Sequence, residues 1–282
     1  MKSAPPQRSA SGAGEALWPS EQERRQFERD GFVVLRGFLS EAALRPLEVV
    51  YERFKSGAVE GMGRDLCDMS GPYGRSFEDF DIINAVLPRR YAPELAGNPF
   101  EQRAAEAARA FIGEDATLDY DQHLTKKPGR TGAVFAWHQD LGYWPTGSPD
   151  TRTATFSLAL DDAKLANGCL QVVPGSHRER ALRPHRPVLE GESGLRDVTH
   201  ALSVDLLPSD ELVPLEVSRG DVTVHNERII HGSAGNRTEG WRRTYVVAFR
   251  SAATVAYERS IGFTHSHNDT IRWETHLESL RR

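Results

Sequence analysis

The chemistry this chain could carry rests on two histidines and an aspartate. In the run Phe135-Ala136-Trp137-His138-Gln139-Asp140-Leu141-Gly142-Tyr143-Trp144-Pro145, an imidazole and a carboxylate stand two residues apart behind an apolar stretch. If that stretch is a strand, side-chain alternation puts His138 and Asp140 on the same face. Together they make half of a metal site. A second histidine, His231, ends another apolar run, Arg228-Ile229-Ile230-His231. Two histidines and one carboxylate leave several coordination positions open, which is the donor set of non-haem Fe(II) oxygenases. The same set also suits zinc. A redox-inert hydrolase or isomerase is therefore the competing chemistry, and a non-catalytic binding protein on a decayed site is a third reading.

The chain holds 10 histidines, so one His-x-Asp pair decides little by itself. Two neighbouring features strengthen it. The surroundings are aromatic and apolar, as a metal's outer shell should be. Beyond His231, the turn Gly232-Ser233-Ala234-Gly235-Asn236 leads to Trp241-Arg242-Arg243 at the head of a further strand. A guanidinium there can fork onto a carboxylate. A hydrolase has no need of such a clamp. Neighbouring residues of a strand face opposite ways, so one arginine is expected to serve and the other to form a surface ion pair.

The elements that must position these residues read as helices first and strands after. Ser20-Glu21-Gln22-Glu23 is a capping box opening a helix that runs to about Asp30, with Gly31 to end it. Phe32 to Leu35 is a buried-type strand. Ser40 precedes a second helix with Leu44, Leu47, Tyr51 and Phe54 on one face, although Pro46 lies in its second turn. Asn98-Pro99 opens a third helix. Strands are expected at 117–125, 131–140, 153–160, 169–173, 213–217, 222–225 and 241–249, with Asn167-Gly168 as a turn signal. Helices followed by about eight short strands predict an α+β chain with a sandwich or barrel core. Residues 57–91 and 177–210 lack periodicity and read as variable loops.

Composition removes other classes. Hydrophobic residues make up 39% and charged residues 27%, enough for one large core. A net charge of -5 with no clustered basic face argues against nucleic acid as a partner. No apolar run reaches membrane-spanning length. Residues 1–18 are polar and read as a disordered tail ahead of a single domain over 19–282. Cys67 and Cys169 are far apart, with no metal-ligand spacing, so a reducing cytoplasm is the expected location. His265, His267 and His276 cluster near the end but lack a fourth ligand for structural zinc.

The chain resembles the phytanoyl-CoA dioxygenase family of Fe(II)- and 2-oxoglutarate-dependent oxygenases. The resemblance rests on the run Trp137 to Pro145, on Asn167-Gly168-Cys169-Leu170-Gln171-Val172-Val173-Pro174-Gly175-Ser176-His177, and on Gly220-Asp221, His231 to Asn236 and Gly240-Trp241-Arg242-Arg243. It implies a double-stranded β-helix (jelly-roll or cupin-like) core with N-terminal helices packed on the major sheet. It further implies His138, Asp140 and His231 as iron ligands and catalytic centre, with 2-oxoglutarate as cosubstrate and O2 as oxidant. Arg242 falls where the family pairs an arginine with the distal carboxylate of 2-oxoglutarate, and Gln139 and Ser233 look like secondary contacts. The strand before the metal also contributes in this family. Within Asp121 to Thr125, Gln122 is the choice for this role. His123 and Thr125 stay open, because a one-residue slip swaps the faces. Related halogenases lack the carboxylate, so Asp140 favours hydroxylation, desaturation or cyclisation of a small metabolite.

Substrate contacts are expected from Tyr143 and Trp144 and from acids of the 57–91 loop, chiefly Asp68 and Asp81. Five acids, Asp65, Asp68, Glu78, Asp79 and Asp81, lie close together there. If they face the iron, they favour a cationic natural-product intermediate. The oligomeric state is not legible.

Overall fold

The computed structural model describes residues 19–72, 74–188 and 201–269. The expected N-terminal tail, part of the 177–210 loop and His276 lie outside them. Helix α1 (Glu21–Asp30) has the full capping box of Ser20 and Glu23, and Gly31 closes it at φ 82. It leads into β1 (Phe32–Leu35) and α2 (Glu41–Lys55), which continues through Pro46. Then come β2 (Leu66–Asp68), β3 (Ile82–Val86), the single turn α3 (Pro88–Tyr91) and α4 (Pro99–Ile112), with the Asn98 side chain capping α4. The long β4 (Ala116–Lys126) is followed by β5 (Phe135–His138), β6 (Thr153–Ala159) and β7 (Gln171–Val172). Two short strands, β8 (Arg186–Pro187) and β9 (Leu202–Ser203), pair with each other. The chain continues through β10 (Val213–Pro214), β11 (Val222–His225), β12 (His231–Ser233) and β13 (Arg242–Ser251) to α5 (Ala252–Ser260).

Two antiparallel sheets carry the site. The larger has seven strands in the order β1-β11-β6-β13-β4-β3-β2, and the smaller has four in the order β10-β7-β12-β5. Helices α2 and α4 cover the outer face of the larger sheet. Leu44, Tyr51, Phe54, Phe100 and Ala104 pack there against Phe156, Leu158, Tyr245 and Val247 in the main apolar cluster. Alternation then sends the intervening residues of β4, β6 and β13 inward, toward the smaller sheet.

The 57–91 segment departs from expectation. Two strands lie inside it, and β3 pairs with β4 and β2 with β3, so it extends the larger sheet. All five residues of β3 are buried, which erases the alternation that would have marked it. Helix α5 is also unanticipated. Ser251 ends β13 and caps α5 with its side chain, so no turn residue separates the two. Among the described residues, no helix is long and apolar enough to cross a membrane.

Candidate active site

A cavity of about 200 Å³ opens between the two sheets. His138 ends β5 and His231 begins β12, and these two residues are cross-strand partners. Asp140 reaches them by a different route from the expected one. The strand stops at His138, and Asp140 starts a short 3-10 turn over Asp140–Tyr143. The turn still brings the carboxylate back. His138 Nε2 and His231 Nε2 each lie 3.3 Å from Asp140 Oδ1. The three donor atoms lie within 4.8 Å of one another, close enough to share one ion.

The surrounding hydrogen bonds set the protonation pattern a metal needs. His138 Nδ1 sits 2.6 Å from the Ala136 carbonyl, and His231 Nδ1 sits 3.0 Å from that of Ile229. A carbonyl only accepts, so each Nδ1 carries the proton and each Nε2 lone pair is left for the metal. Burial, and then the nearby His231, lowers the pKa of His138, which keeps it neutral. Burial pushes the Asp140 carboxyl up, but the imidazoles gathered around it, His231 foremost, outweigh burial and hold it well below the usual range. The third imidazole is His225, at the end of β11, with Nε2 3.1 Å from Asp140 Oδ2. It occupies one carboxylate oxygen and leaves Oδ1 for the metal. His225 went unrecognised in the sequence; its only signal was its position at the end of a buried strand.

Arg242 and Arg243 divide as alternation requires. Arg242 lines the cavity and is buried, and its Nε has no hydrogen-bond partner among the described residues. No carboxylate there pairs with it. Arg243 faces out and binds Asp161, Glu48 and Glu52. A buried guanidinium without an anion is costly, so Arg242 fits a ligand that brings a carboxylate. Ser233 and Gln122 also line the cavity. Lys126, opposite Arg242 in the β4–β13 register, was not anticipated either. Its buried Nζ donates to Ser233 Oγ at 2.6 Å and to the Ala234 carbonyl at 2.5 Å, tying down the chain just after His231. Gly168 makes room for this turn, since a Cβ there would lie 2.1 Å from the Ala234 oxygen.

Several expected contacts lie elsewhere. Thr125 faces the helices, 2.8 Å from the Tyr51 hydroxyl, and His123 stacks on the same tyrosine. Both have the opposite parity to Gln122. Gln139 is fully buried but turned away from the cavity, because it lies between two inward-facing ligands. Its Nε2 donates to the Arg228 carbonyl at 2.6 Å, and its Oε1 accepts from the Arg183 N–H at 2.8 Å. Tyr143 and Trp144 do line the cavity.

The acids of the 57–91 segment do not. Asp68 is a staple for its own loop. It accepts from Ser70, from the Ile82 and Asp81 N–H groups and from Arg75. Asp81 lies beside Arg130 and Arg75, and Glu78 and Asp79 are exposed. Asp65 accepts from Tyr91, Ser266 and the His267 N–H. Asp68→Asn is therefore expected to cost about 2 kcal/mol of stability in urea unfolding, with the substrate KM unchanged. A raised KM at wild-type stability would return Asp68 to the substrate.

A cavity between antiparallel sheets, with a facial triad and a buried arginine that no carboxylate of the described residues pairs, defines a metal-dependent oxygenase site. The profile of the phytanoyl-CoA dioxygenase (PhyH) family matches residues 27–244. The chain belongs to this family of Fe(II)- and 2-oxoglutarate-dependent dioxygenases. It is 26% identical over 238 residues to human peroxisomal phytanoyl-CoA dioxygenase, covering 82% of this chain and 68% of that one. It is 26% identical over 234 residues to the ectoine dioxygenase of Stutzerimonas stutzeri (strain A1501), covering 77% and 72%. Among solved structures, EvdO2 from Micromonospora carbonacea var. aurantiaca, complexed with 2-oxoglutarate, superposes with a TM-score of 0.64 at 25% identity. That match covers 83% of this chain and 91% of EvdO2.

Proposed function

We propose that the chain oxidises a small metabolite by hydroxylation, desaturation or cyclisation, with Fe(II) held by His138, Asp140 and His231. Arg242 would hold the distal carboxylate of 2-oxoglutarate, with Ser233 and Gln122 beside it. The observation that carries this reading is that the triad and Arg242, whose Nε is unpartnered among the described residues, share one cavity. A zinc hydrolase would have no use for a buried guanidinium at that place. In this reading the two sheets are the halves of a double-stranded β-helix, and 19–282 is one oxygenase domain. Two buried free thiols suit a reducing cytoplasm.

When bound, iron and 2-oxoglutarate supply the oxidation of a C–H bond by O2 as 2-oxoglutarate is decarboxylated to succinate. The protein's own part is geometric and electrostatic. The Ala136 and Ile229 carbonyls keep both Nε2 atoms free of protons. His225 holds Asp140 by its second oxygen. Tyr143 packs edge-on to the His138 ring at 5.5 Å between centroids, and Trp144 lines the same cavity beside it.

The test is succinate formation against a panel of small metabolites under 18O2. Succinate formed in proportion to consumed substrate supports the oxygenase. Label in the product identifies hydroxylation, and loss of two hydrogens without label identifies desaturation or cyclisation. Metabolite turnover with zinc alone, without 2-oxoglutarate, would sink the reading.

A further inference from the structure

A second charged cluster lies beside the cavity, apart from the triad. Six ionisable side chains gather behind Tyr120 and Trp144. They are Asp119 on β4, Glu227 after β11, Arg250 on β13, Glu258 and Arg259 on α5, and His265 beyond it. Arg250 is fully buried, 2.6 Å from Glu227 and paired with Glu258. Arg259 pairs with Asp119. His265 Nε2 lies 2.8 Å from Asp119 Oδ2 and 3.1 Å from Glu258 Oε2. Asp119, Glu258 and His265 lie close enough to hold an ion. The two guanidiniums already engage these carboxylates, which argues against a metal there.

His265 is the member that reaches the cavity. Its ring packs against Tyr120, Trp144 and Phe263 at 4.4, 4.5 and 4.7 Å between centroids. Its backbone is left-handed at φ 67, a conformation rare for residues with a Cβ and concentrated at functional sites. Asp65 accepts from the next two residues, Ser266 and His267, and so fixes the segment. Nε2 is spent on the carboxylates. Nδ1 is buried and has no partner among the described residues. Burial lowers the imidazole's pKa, but Asp119 and Glu258 outweigh it and raise it. An imidazolium donates from both nitrogens and accepts at neither.

The position along the sheet matters too. His265 packs on Tyr120, which is paired with Ala248, whereas Arg242 is paired with Lys126 at the other end of β4. The triad's partner His225 shares the Tyr120 end, through Thr155, which pairs with both His225 and Ala248. A cosubstrate reaching from the triad toward Arg242 leaves the Tyr120 end for the substrate. Resting on the oxygenase reading of this cavity, we infer that His265 anchors the substrate, its Nδ1, covered in this structure, turning out to donate to an oxygen acceptor, a carboxylate or carbonyl. The substrate class is an apolar-bodied molecule bearing such an oxygen. An ammonium at Nδ1 itself meets a donor instead of an acceptor, and Asp269, the carboxylate that also lines the cavity, is already engaged by the Thr264 N–H and hydroxyl, so this anchor does not carry the cationic preference expected from the 57–91 acids.

The probes are 3-phenylpropionate, 3-phenylpropanamide and 3-phenylpropylamine, one skeleton with an acid, an amide or an amine. Each is titrated calorimetrically into anaerobic enzyme with Fe(II) and saturating 2-oxoglutarate. Wild type is expected to bind the acid and the amide about tenfold or more tightly than the amine. His265→Phe keeps a ring but loses the donor, and is expected to bring the three within about threefold. An amine bound as tightly as the acid overturns the assignment. So do a preference that survives His265→Phe, acid binding that 2-oxoglutarate displaces, and failure of both oxygen-bearing probes to bind. If His265→Phe does not fold, a crystal structure of the wild-type complex with 3-phenylpropionate decides. The carboxylate within about 3.2 Å of Nδ1 supports the assignment, and any other placement removes it. The iron–2-oxoglutarate charge-transfer band, read before any probe is added, separates the two failures. Its absence sinks the oxygenase reading, whereas a band without the acid-over-amine preference sinks only His265.

Discussion

Alanine at His138, Asp140 or His231 is expected to abolish turnover and leave a folded protein. Each variant removes one of three donors that converge on a single point. None of the three belongs to the main apolar cluster, which lies on the other face of the larger sheet. Thermal unfolding should therefore stay cooperative in all three. The readout is anaerobic. Wild type with Fe(II) and 2-oxoglutarate should show a visible charge-transfer band, and the variants should not. His225→Ala provides the graded control. It leaves the donors in place but frees Asp140 Oδ2, the oxygen His225 holds at 3.1 Å. Loss of such a supporting hydrogen bond typically costs about 10- to 100-fold in metal affinity or activity, so a weakened band at the same position is expected. A wild type that shows no band and binds zinc tightly would remove the oxygenase reading. Full activity in Asp140→Ala would remove Asp140 from the metal.

The parts of this site that sequence made legible depend on short-range geometry. His138 and His231 stand at strand ends, and the apolar runs before them, the nearby Asp140 and the downstream arginine suggested them. Arg242 and Arg243 separate by alternation, and so do Gln122 and Thr125, which cannot both face the cavity. Asp140 was found by the right spacing for the wrong reason, because a 3-10 turn rather than a strand returns it to the histidines. Gln139 was misplaced because the same alternation that aims its neighbours inward turns it away. The acids of the 57–91 segment were misread because composition counts charges without naming their partners. Asp68 satisfies its own loop, and β2 and β3 are too short or too fully buried to show a period. Contacts across long sequence distances left no trace at all. His265 meets Asp119 across 146 residues, and Lys126 meets Ser233 across 107. No local pattern signals such a pairing, and a lone histidine or lysine in sequence is most often an ordinary polar residue.

Arg242→Ala should raise the 2-oxoglutarate KM roughly a hundredfold, while Arg243→Ala leaves it unchanged. The two residues are adjacent and chemically identical, so the contrast isolates orientation. Arg242 is buried against the cavity, with its Nε unpartnered among the described residues. Burial lowers its pKa, so it stays charged at a cost that an incoming carboxylate would relieve. Loss of a buried bidentate pair costs about 3 kcal/mol, which is the hundredfold. Arg242→Lys should recover little of this, because an ammonium cannot reproduce the planar fork. Arg243 instead holds Asp161, Glu48 and Glu52, tying β13 to α2 and to the end of β6. Its pKa is raised, first by its hydrogen bond to Asp161. Arg243→Ala should therefore lower stability by about 1 to 2 kcal/mol, discounted for partial solvent screening, with kinetics near wild type. The measurements are 2-oxoglutarate-dependent succinate formation and urea unfolding on the same three preparations. The two losses should fall on different axes, affinity for Arg242 and stability for Arg243. Equal rises in KM, or the larger rise in Arg243→Ala, would mean that the β13 register is displaced by one residue. Arg243 would then be the guanidinium that faces the cavity and meets the cosubstrate.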